Sequence, residues 1–331
     1  MGTDSRTFLG VDGGQTGTRA VVVGADGGVL CRAQAGGTIH ALAPGGEPVL
    51  REALTAIRDR VRAAGCDPDV VFLGLTGVVP GTASEPIGVA VAADVWPSSI
   101  RIVEGDGIIA WAGATGGAPG VAATAGTGSV VVAINERGDR AETGGWGYLF
   151  GDQGSGWHIG SDAIRLMLRQ WDRTRSITAV GRTILERTAA ATVPEVPDRV
   201  SAADLDHRDV ARLAEPIIAL ARRGDEEAAG IVAGAAADFA VDVAAAVDRL
   251  DWEEEPVLVG VLGKIFRAGP VYRDPFLAAL QGLTARRVRL ADPVLTGLGG
   301  AVLLAMRAGG IAPTPALIET LVRQGMGGSD A

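Results

Sequence analysis

Three glycine-centred loops follow one another along this chain, each set against strand-like residues, and their order limits the folds open to it. In the first, FLGVDGGQTGTRAVVV, an apolar strand from Phe8 to Val11 runs into Asp12, Gly13, Gly14, Gln15, Thr16, Gly17, Thr18 and Arg19. The second, AATAGTGSVVVAIN, sets Gly126, Thr127, Gly128 and Ser129 between two apolar strands. The third, VLVGVLGKIF, centres on Gly260 and Gly263. In the first two, strand-like residues resume after the glycines, so these loops read as tight hairpins rather than strand-to-helix turns. Glycine there permits positive φ and close backbone approach, which lets amide N–H groups converge on an anion. Thr and Ser hydroxyls in the same loops add donors suited to phosphate oxygens.

Other phosphate-binding solutions are excluded by what is missing. A Walker loop needs a lysine after its last glycine, and a protein kinase needs one on its third strand. The single lysine here, Lys264, lies in neither context. No helix follows the first glycines, so the dinucleotide fingerprint fails as well. The N-terminal loop resembles the phosphate hairpin of actin-like proteins and sugar kinases.

A length of 331 residues suits about two domains. Aromatics are only 4% of a chain that is 47% hydrophobic, so Ala, Val, Leu and Ile must fill the core. A net charge of −9 argues against a nucleic-acid face, and no Lys/Arg run suggests a membrane surface. MGTDSRT lacks an apolar signal core and no stretch of about 18 uninterrupted apolar residues occurs, which together point to a cytoplasmic protein. Cys31 and Cys66, far apart and without metal spacing, read as reduced thiols.

Pattern and turn chemistry predict strands at 7–12, 18–24 and 28–35, a helix over 48–64 with Leu50, Leu54, Ile57 and Val61 on one face, and a strand at 70–75. A helix over 84–93, a strand at 100–103 and a helix over 108–114 lead to Gly116–Gly120, taken as the crossover. The pattern then restarts with strands at 121–125, 129–134 and 140–143, followed by the loop GGWGYLFGDQGSG and helices through 249. A strand at 256–261, a helix over 270–281, a strand at 288–290 and a helix over 294–308 complete the second set, and the Gly- and Pro-rich tail after 309 docks or frays. The expectation is an α/β protein of two duplicated domains with an interdomain cleft. Residues 1–116 form the first domain, 117–305 the second, and 306–331 a C-terminal segment packing back on the first.

These motifs resemble the actin-like sugar kinase superfamily, and within it the branch holding N-acetylglucosamine kinases and the BadF/BadG/BcrA/BcrD ATPases. The resemblance covers nearly the whole chain. It rests on DGGQTGTR at 12–19, GDG at 105–107, AGTGS at 125–129, GGWGYLFGDQGSGWHIG at 144–160, VGVLG at 259–263 and LTGLGGAVLLA at 295–305. AGTGS followed by GGWGxxxGDxGSG carries most of the specificity. The implied fold is a pair of actin-like (ribonuclease H-like) domains, and the implied activity is transfer of a phosphoryl group from ATP, with Mg²⁺, to a small sugar such as glucosamine or N-acetylglucosamine.

Phosphoryl transfer needs a neutralised γ-phosphate and an aligned acceptor oxygen. On this reading Gly13, Gly14, Gln15, Thr16, Thr18 and Arg19 cradle the β- and γ-phosphates, and Asp12, with Asp106, holds the metal. The resemblance makes Asp106 the general base; the plainer alternative is an N-cap for the helix after it. Gly126, Thr127 and Gly128 form the second phosphate loop, and Gly260, Gly263, Gly299 and Gly300 leave room for adenosine or serve tight packing. Thr38, His40, Thr76, Gly77, Ser129, Trp146, Gly147 and Asp152 are the expected sugar-side residues, with Trp146 either walling the pocket or locking the loop from the core. His158 reads as structural and His207 as solvent-facing. Three places in the chain depart from the eukaryotic-type N-acetylglucosamine kinases. Thr38 and His40 stand where those have an Asn-bearing loop, Val130 where they have Asn, and Gln153 where they have Glu, which rearranges sugar recognition and puts the acyl-amide contact in question. Such relatives are often homodimers. Competing readings are the ATP-driven activase of a radical dehydratase, which needs cluster-binding cysteines this chain lacks in its second half, and a non-catalytic sugar or nucleotide sensor.

Overall fold

The computed structural model describes residues 5–328. The first four residues, part of the segment read as lacking a signal core, and the last three of the expected tail lie outside the described residues.

The first half builds strands β1 (Thr7–Gly14), β2 (Gly17–Gly24) and β3 (Val29–Ala35), helix α1 (Gly46–Ala63), β4 (Val70–Leu75), α2 (Glu85–Val95), β5 (Ile100–Gly105) and α3 (Asp106–Thr115). The second set follows with β6 (Gly120–Ala125), β7 (Ser129–Ile134), β8 (Arg140–Gly144) and α4 (Gly156–Thr174). Next come α5 (Ala179–Thr188), α6 (Glu195–Ser201), α7 (His207–Arg212), α8 (Ala214–Arg222) and α9 (Glu226–Asp248). The chain continues with β9 (Val257–Leu262), α10 (Pro270–Leu283), β10 (Val288–Ala291), α11 (Gly297–Ala308) and α12 (Pro315–Leu321).

One five-stranded sheet runs β3-β2-β1-β4-β5 and the other β10-β9-β6-β7-β8. Counted from the first strand of each set, both orders are the same, so the duplication expected from the restarting pattern is present in the topology. In the first sheet β1–β2 and β2–β3 are antiparallel, while β1–β4 and β4–β5 are parallel. The register aligns Asp12 with Gly74 and Gly74 with Glu104. Asp12, Thr76 and Asp106 therefore emerge at one edge, the carboxyl ends of three neighbouring strands.

Small residues set the packing, as the low aromatic content requires. Leu50, Leu54, Ile57 and Val61 of α1 are buried against Val11, Val22, Leu73 and their neighbours. On the other face α11 lies against β1 and α3. A Cβ at Gly10 would stand 2.4 Å from the Val302 nitrogen, and one at Gly300 would stand 2.1 Å from the Ile109 carbonyl oxygen. These close approaches are why the contacts divide the chain differently from the expectation. Residues up to Ala122 and those from Ala291 onward form one compact unit, and Ala123–Leu290 form the other. The boundary expected at 116/117 lies a few residues later, and α11, assigned to the second domain by sequence order, belongs to the first unit.

The tail after 309 docks. Leu317 and Leu321 are buried, and the Arg32 guanidinium donates to the Gln324 carbonyl. In the second unit, α9 is long and apolar enough to cross a membrane, yet half of its apolar window is buried. It carries Asp238 and Asp242 and packs on α8, α10, β7 and β8, so the protein core accounts for its composition.

Two glycine substitutions test this packing. Gly300→Ala puts a methyl into backbone and should lower stability by about 3 kcal/mol, the upper end for overpacking. Gly230→Ala, inside α9 where a Cβ meets nothing within 4 Å, should raise it by about 0.5–1 kcal/mol. Denaturant midpoints of the two variants check the contrast; equal shifts would contradict it.

Candidate active site

In the first unit the phosphate-type hairpin closes with Gly14 opposite Gly17, leaving Gln15 and Thr16 exposed at its tip. None of Gly13, Gly14 and Gly17 adopts positive φ. The small residues are needed for proximity instead, since a Cβ at Gly13 would stand 2.7 Å from Leu75 Cδ2. The Gly13 carbonyl accepts from the Thr76 N–H at 2.8 Å and from the buried Thr38 hydroxyl at 3.4 Å. The Thr38 N–H in turn donates to the Gly14 carbonyl at 2.9 Å. Thr18 is also fully buried, and its hydroxyl donates to the Gly36 carbonyl at 2.8 Å. Thr18 and Thr38, expected to meet phosphate and sugar, thus turn their hydroxyls to backbone and brace the hairpin.

The loop after β3 folds over the end of β4. A Cβ at Gly77 would lie 2.4 Å from the His40 Cα, and the Ala41 N–H donates to the Gly77 carbonyl at 3.1 Å. This brings half-buried Thr76 and Gly77 together with exposed His40; His40 Nδ1 accepts from the Leu42 N–H at 3.2 Å.

The charged centre lies beside them. Asp12 Oδ2 receives the Arg19 guanidinium at 2.7 Å, with the aspartate side chain 17% exposed. The first turn of α11 borders the same oxygen, because a Cβ at Gly297 would stand 3.8 Å from it. Asp106 is the first residue of α3 and Gly105 is its N-cap, so the N-cap alternative for Asp106 does not hold. Its carboxylate accepts the Thr76 hydroxyl and the Gly107 N–H. Burial, with the negative charge of Asp12 adding to it, raises the Asp106 pKa above the usual carboxylate range, while the Thr76 and Gly107 hydrogen bonds oppose the rise.

The second unit holds a different construction. The Gly126 N–H donates to the Gly128 carbonyl at 2.8 Å, closing the second loop. Its carbonyls at Gly126 and Thr127 accept from the N–H groups of Gly156 and Trp157 at 2.8 and 3.1 Å, which fixes the loop on the start of α4. Thr127 is exposed. The Ser129 N–H donates to Asp152 Oδ1 at 3.0 Å and the Ser129 hydroxyl to the Gln153 carbonyl at 2.7 Å. Asp152 is buried and sits at φ 63°. A non-glycine residue held there signals a site that the surroundings over-determine. Gly128 allows it, since a Cβ would meet Asp152 Oδ1 at 2.7 Å.

An aromatic cluster supports this loop from below. Phe239, Phe266, Tyr272 and Phe276 contact one another with centroids 5.1–6.4 Å apart, and the buried Tyr272 hydroxyl donates to the Gly154 carbonyl at 2.8 Å. Trp146 is 77% exposed, so it does not lock the loop from the core; Gly147 beside it is exposed as well. His158 is structural as expected: Nδ1 accepts from the Gly154 N–H at 3.0 Å and Nε2 faces Asp162 at 3.2 Å. His207 departs from expectation. It stacks on Tyr148 with ring centroids 4.7 Å apart and 5° between planes. Burial raises the Asp152 pKa, opposed first by the Ser129 N–H hydrogen bond and then by the nearby His207. No local signal links His207 to a loop some sixty residues earlier. Gly260 is buried in β9, and Gly263 follows it where a Cβ would stand 2.2 Å from the Ala125 carbonyl oxygen. Gly299 lies in the first unit, where the Met326 carbonyl leaves no room for a side chain.

Residues 9–305 match the BadF/BadG/BcrA/BcrD ATPase family. The chain belongs to that family. It is 27% identical over 204 residues to the N-acetylmuramic acid/N-acetylglucosamine kinase of Clostridium acetobutylicum, covering 62% of this chain and 66% of that one. To the N-acetyl-D-glucosamine kinase of Dictyostelium discoideum it is 28% identical over 190 residues, 54% and 60% of the two chains. These alignments span just under two thirds of each relative's own length. A crystal structure of a candidate N-acetylglucosamine kinase from Chromobacterium violaceum superposes with a TM-score of 0.71 and 25% identity, covering 92% of this chain and 99% of that one. The actin-like fold of this ATPase family member is thereby established.

The oxygen donors of Asp12 and Asp106 fit Mg²⁺, which prefers one or two carboxylates plus substrate phosphates to an all-protein cage. Among the described residues no three His, Cys, Asp or Glu side chains form a metal-holding group.

Asp106 carries a stability signature. A carboxyl whose folded-state pKa is raised contributes stability that is fully present below its unfolded pKa and lost as pH rises through the folded value. Asp106→Asn, neutral throughout, should therefore melt higher than the parent at neutral pH, with the gap closing as pH falls into the ordinary aspartate range. A gap that widens on acidification would reverse the assigned sign.

Proposed function

We propose that the chain is an ATP-dependent sugar kinase acting on an amino sugar, glucosamine or N-acetylglucosamine, at the 6-hydroxyl, with Asp106 as general base. The observation that carries the reading is Asp106 itself. Its carboxylate is oriented by Thr76 and Gly107 at the end of β5, and its proton affinity is raised by burial and by Asp12. That is the combination a base needs in order to take a hydroxyl proton near neutral pH.

The first unit supplies backbone amides and the Thr16 hydroxyl of the hairpin, with Arg19, to the β- and γ-phosphates. Asp12 and Asp106 would hold the metal. When bound, Mg²⁺ neutralises charge on the transferring phosphate oxygens. Thr76 is assigned as the positioning residue for Asp106, and His40 and Gly77 border the same edge. Thr18 and Thr38 act through the hairpin's shape rather than by contact. In the second unit Thr127, Gly126 and Gly128 form the second phosphate loop, and Gly260 and Gly263 give room to the adenosine. Asp152 accepts sugar hydroxyls, which a carboxylate does two at a time, while Trp146 offers its face to the ring and Ser129 and Gly147 shape the floor. The names carried by the relatives support a sugar acceptor, and the exposed Trp146 beside a buried carboxylate suits a hexose with one apolar face.

A coupled ADP-release assay across glucosamine, N-acetylglucosamine, N-acetylmuramic acid, glucose and mannosamine tests the substrate class. Turnover restricted to hexosamines is expected; none on any sugar would overturn the reading. Asp106→Asn should lower kcat by about 10²–10⁴-fold, the usual worth of a general base, with ATP affinity retained. Loss of ATP binding instead would reassign Asp106 to the nucleotide. Asp152→Ala should raise the sugar KM by roughly 10–100-fold, as expected for a lost charged hydrogen bond, with the ATP KM little changed.

A further inference from the structure

Cys31 and Cys66, read from spacing alone as reduced thiols far apart, are brought together by two local devices. The first is a bulge. Val22 of β2 pairs with Cys31, but Val23 pairs with Val29, so Leu30 is an extra residue on the edge strand β3. Leu30 is 54% exposed, while Cys31 turns inward with Ala33 toward α1. Bulges commonly re-aim a side chain in this way.

The second device ends α1. The Gly65 N–H donates to the Arg62 carbonyl at 2.9 Å and the Cys66 N–H to the Val61 carbonyl at 3.1 Å, with Gly65 at φ 78°. This is a Schellman ending, whose glycine takes the left-handed conformation and whose next residue folds back on the helix's apolar face. Cys66 is that next residue. Both cysteines pack against the one cluster that holds Val22, Ile57 and Val61; the Cys66 thiol donates to the Ala64 carbonyl at 3.9 Å and neighbours Cys31 closely enough to act on its proton affinity. Both are free and half-buried.

We propose that Cys31 and Cys66 are a reversible thiol-modification site that closes to an intramolecular disulfide by exchange with a low-molecular-weight disulfide. The Cys66 thiolate attacks one sulfur of the small disulfide, forming a mixed disulfide and releasing one small thiolate. The Cys31 thiol then loses its proton and attacks the Cys66 sulfur, releasing the second small thiol. Two protein thiols are oxidised and one small disulfide is reduced to two thiols. The order follows from the surroundings. Burial, and then the neighbouring Cys66, push the Cys31 thiol up, so Cys31 is the poorer first nucleophile. The bond ties β3 to the end of α1 and encloses the loop bearing Thr38 and His40.

The test uses the full chain, reduced, freed of reductant and incubated with oxidised glutathione before alkylation and mass analysis. The expected result is loss of both alkylatable thiols, a mass lower by two hydrogens, a linked Cys31–Cys66 peptide, and full reversal by dithiothreitol. Cys31→Ser should stop at a persistent glutathione adduct on Cys66, and Cys66→Ser should leave Cys31 unmodified. A parent protein that keeps a glutathione adduct, pairs only between chains, or retains two free thiols would overturn the proposal. None of these readouts depends on kinase activity.

Discussion

Parallel pairing of β1 with β4 and of β4 with β5 is the constraint on which the first unit's chemistry depends. It places Asp12 and Asp106 on one edge, close enough for the charge of one to raise the proton affinity of the other. Two carboxylates so placed must be compensated. Arg19 neutralises Asp12, Thr76 and the Gly107 N–H hold Asp106, and the first turn of α11 borders Asp12 with its N-terminal partial charge. It is to this centre that the proposed function assigns the cation, the polyphosphate and the proton acceptor.

The second unit solves a different problem, holding a carboxylate in a buried and strained position. Asp152 has positive φ and is 9% exposed, which a free loop would not maintain. Its rigidity comes from both sides. Ser129 N–H and the strap between the Gly126–Thr127 carbonyls and α4 fix it from above, and Tyr272 anchors Gly154 from below. In a chain so poor in aromatics, concentrating four of them beneath this loop places the stiffest packing where a carboxylate must be aimed. Trp146, left outside that cluster, is available to a ligand.

Much of this was legible in the sequence because local signals agree with the fold. The spacing of Leu50, Leu54, Ile57 and Val61 reads directly as the buried face of α1, and the restarting strand pattern reads as the duplicated sheet order. Asp106 was placed at the right strand end, although one residue inside its helix rather than at the cap. What escaped depends on tertiary direction. Thr18 and Thr38 have the composition of phosphate and sugar ligands, but their hydroxyls face backbone that only the folded hairpin puts there. The stacking of His207 on Tyr148 and the meeting of Cys31 with Cys66 join distant segments that share no pattern. The assignment of α11 failed for the same reason, since its glycines commit it to α3 and β1 rather than to its neighbours in sequence.

The most direct test of the account is phosphorus NMR of the products formed from Mg-ATP and N-acetylglucosamine or glucosamine. The account predicts a new phosphomonoester coupled to the two protons of C6, growing in step with ADP. Inorganic phosphate alone, or a phosphoryl group on any position other than C6, would contradict it.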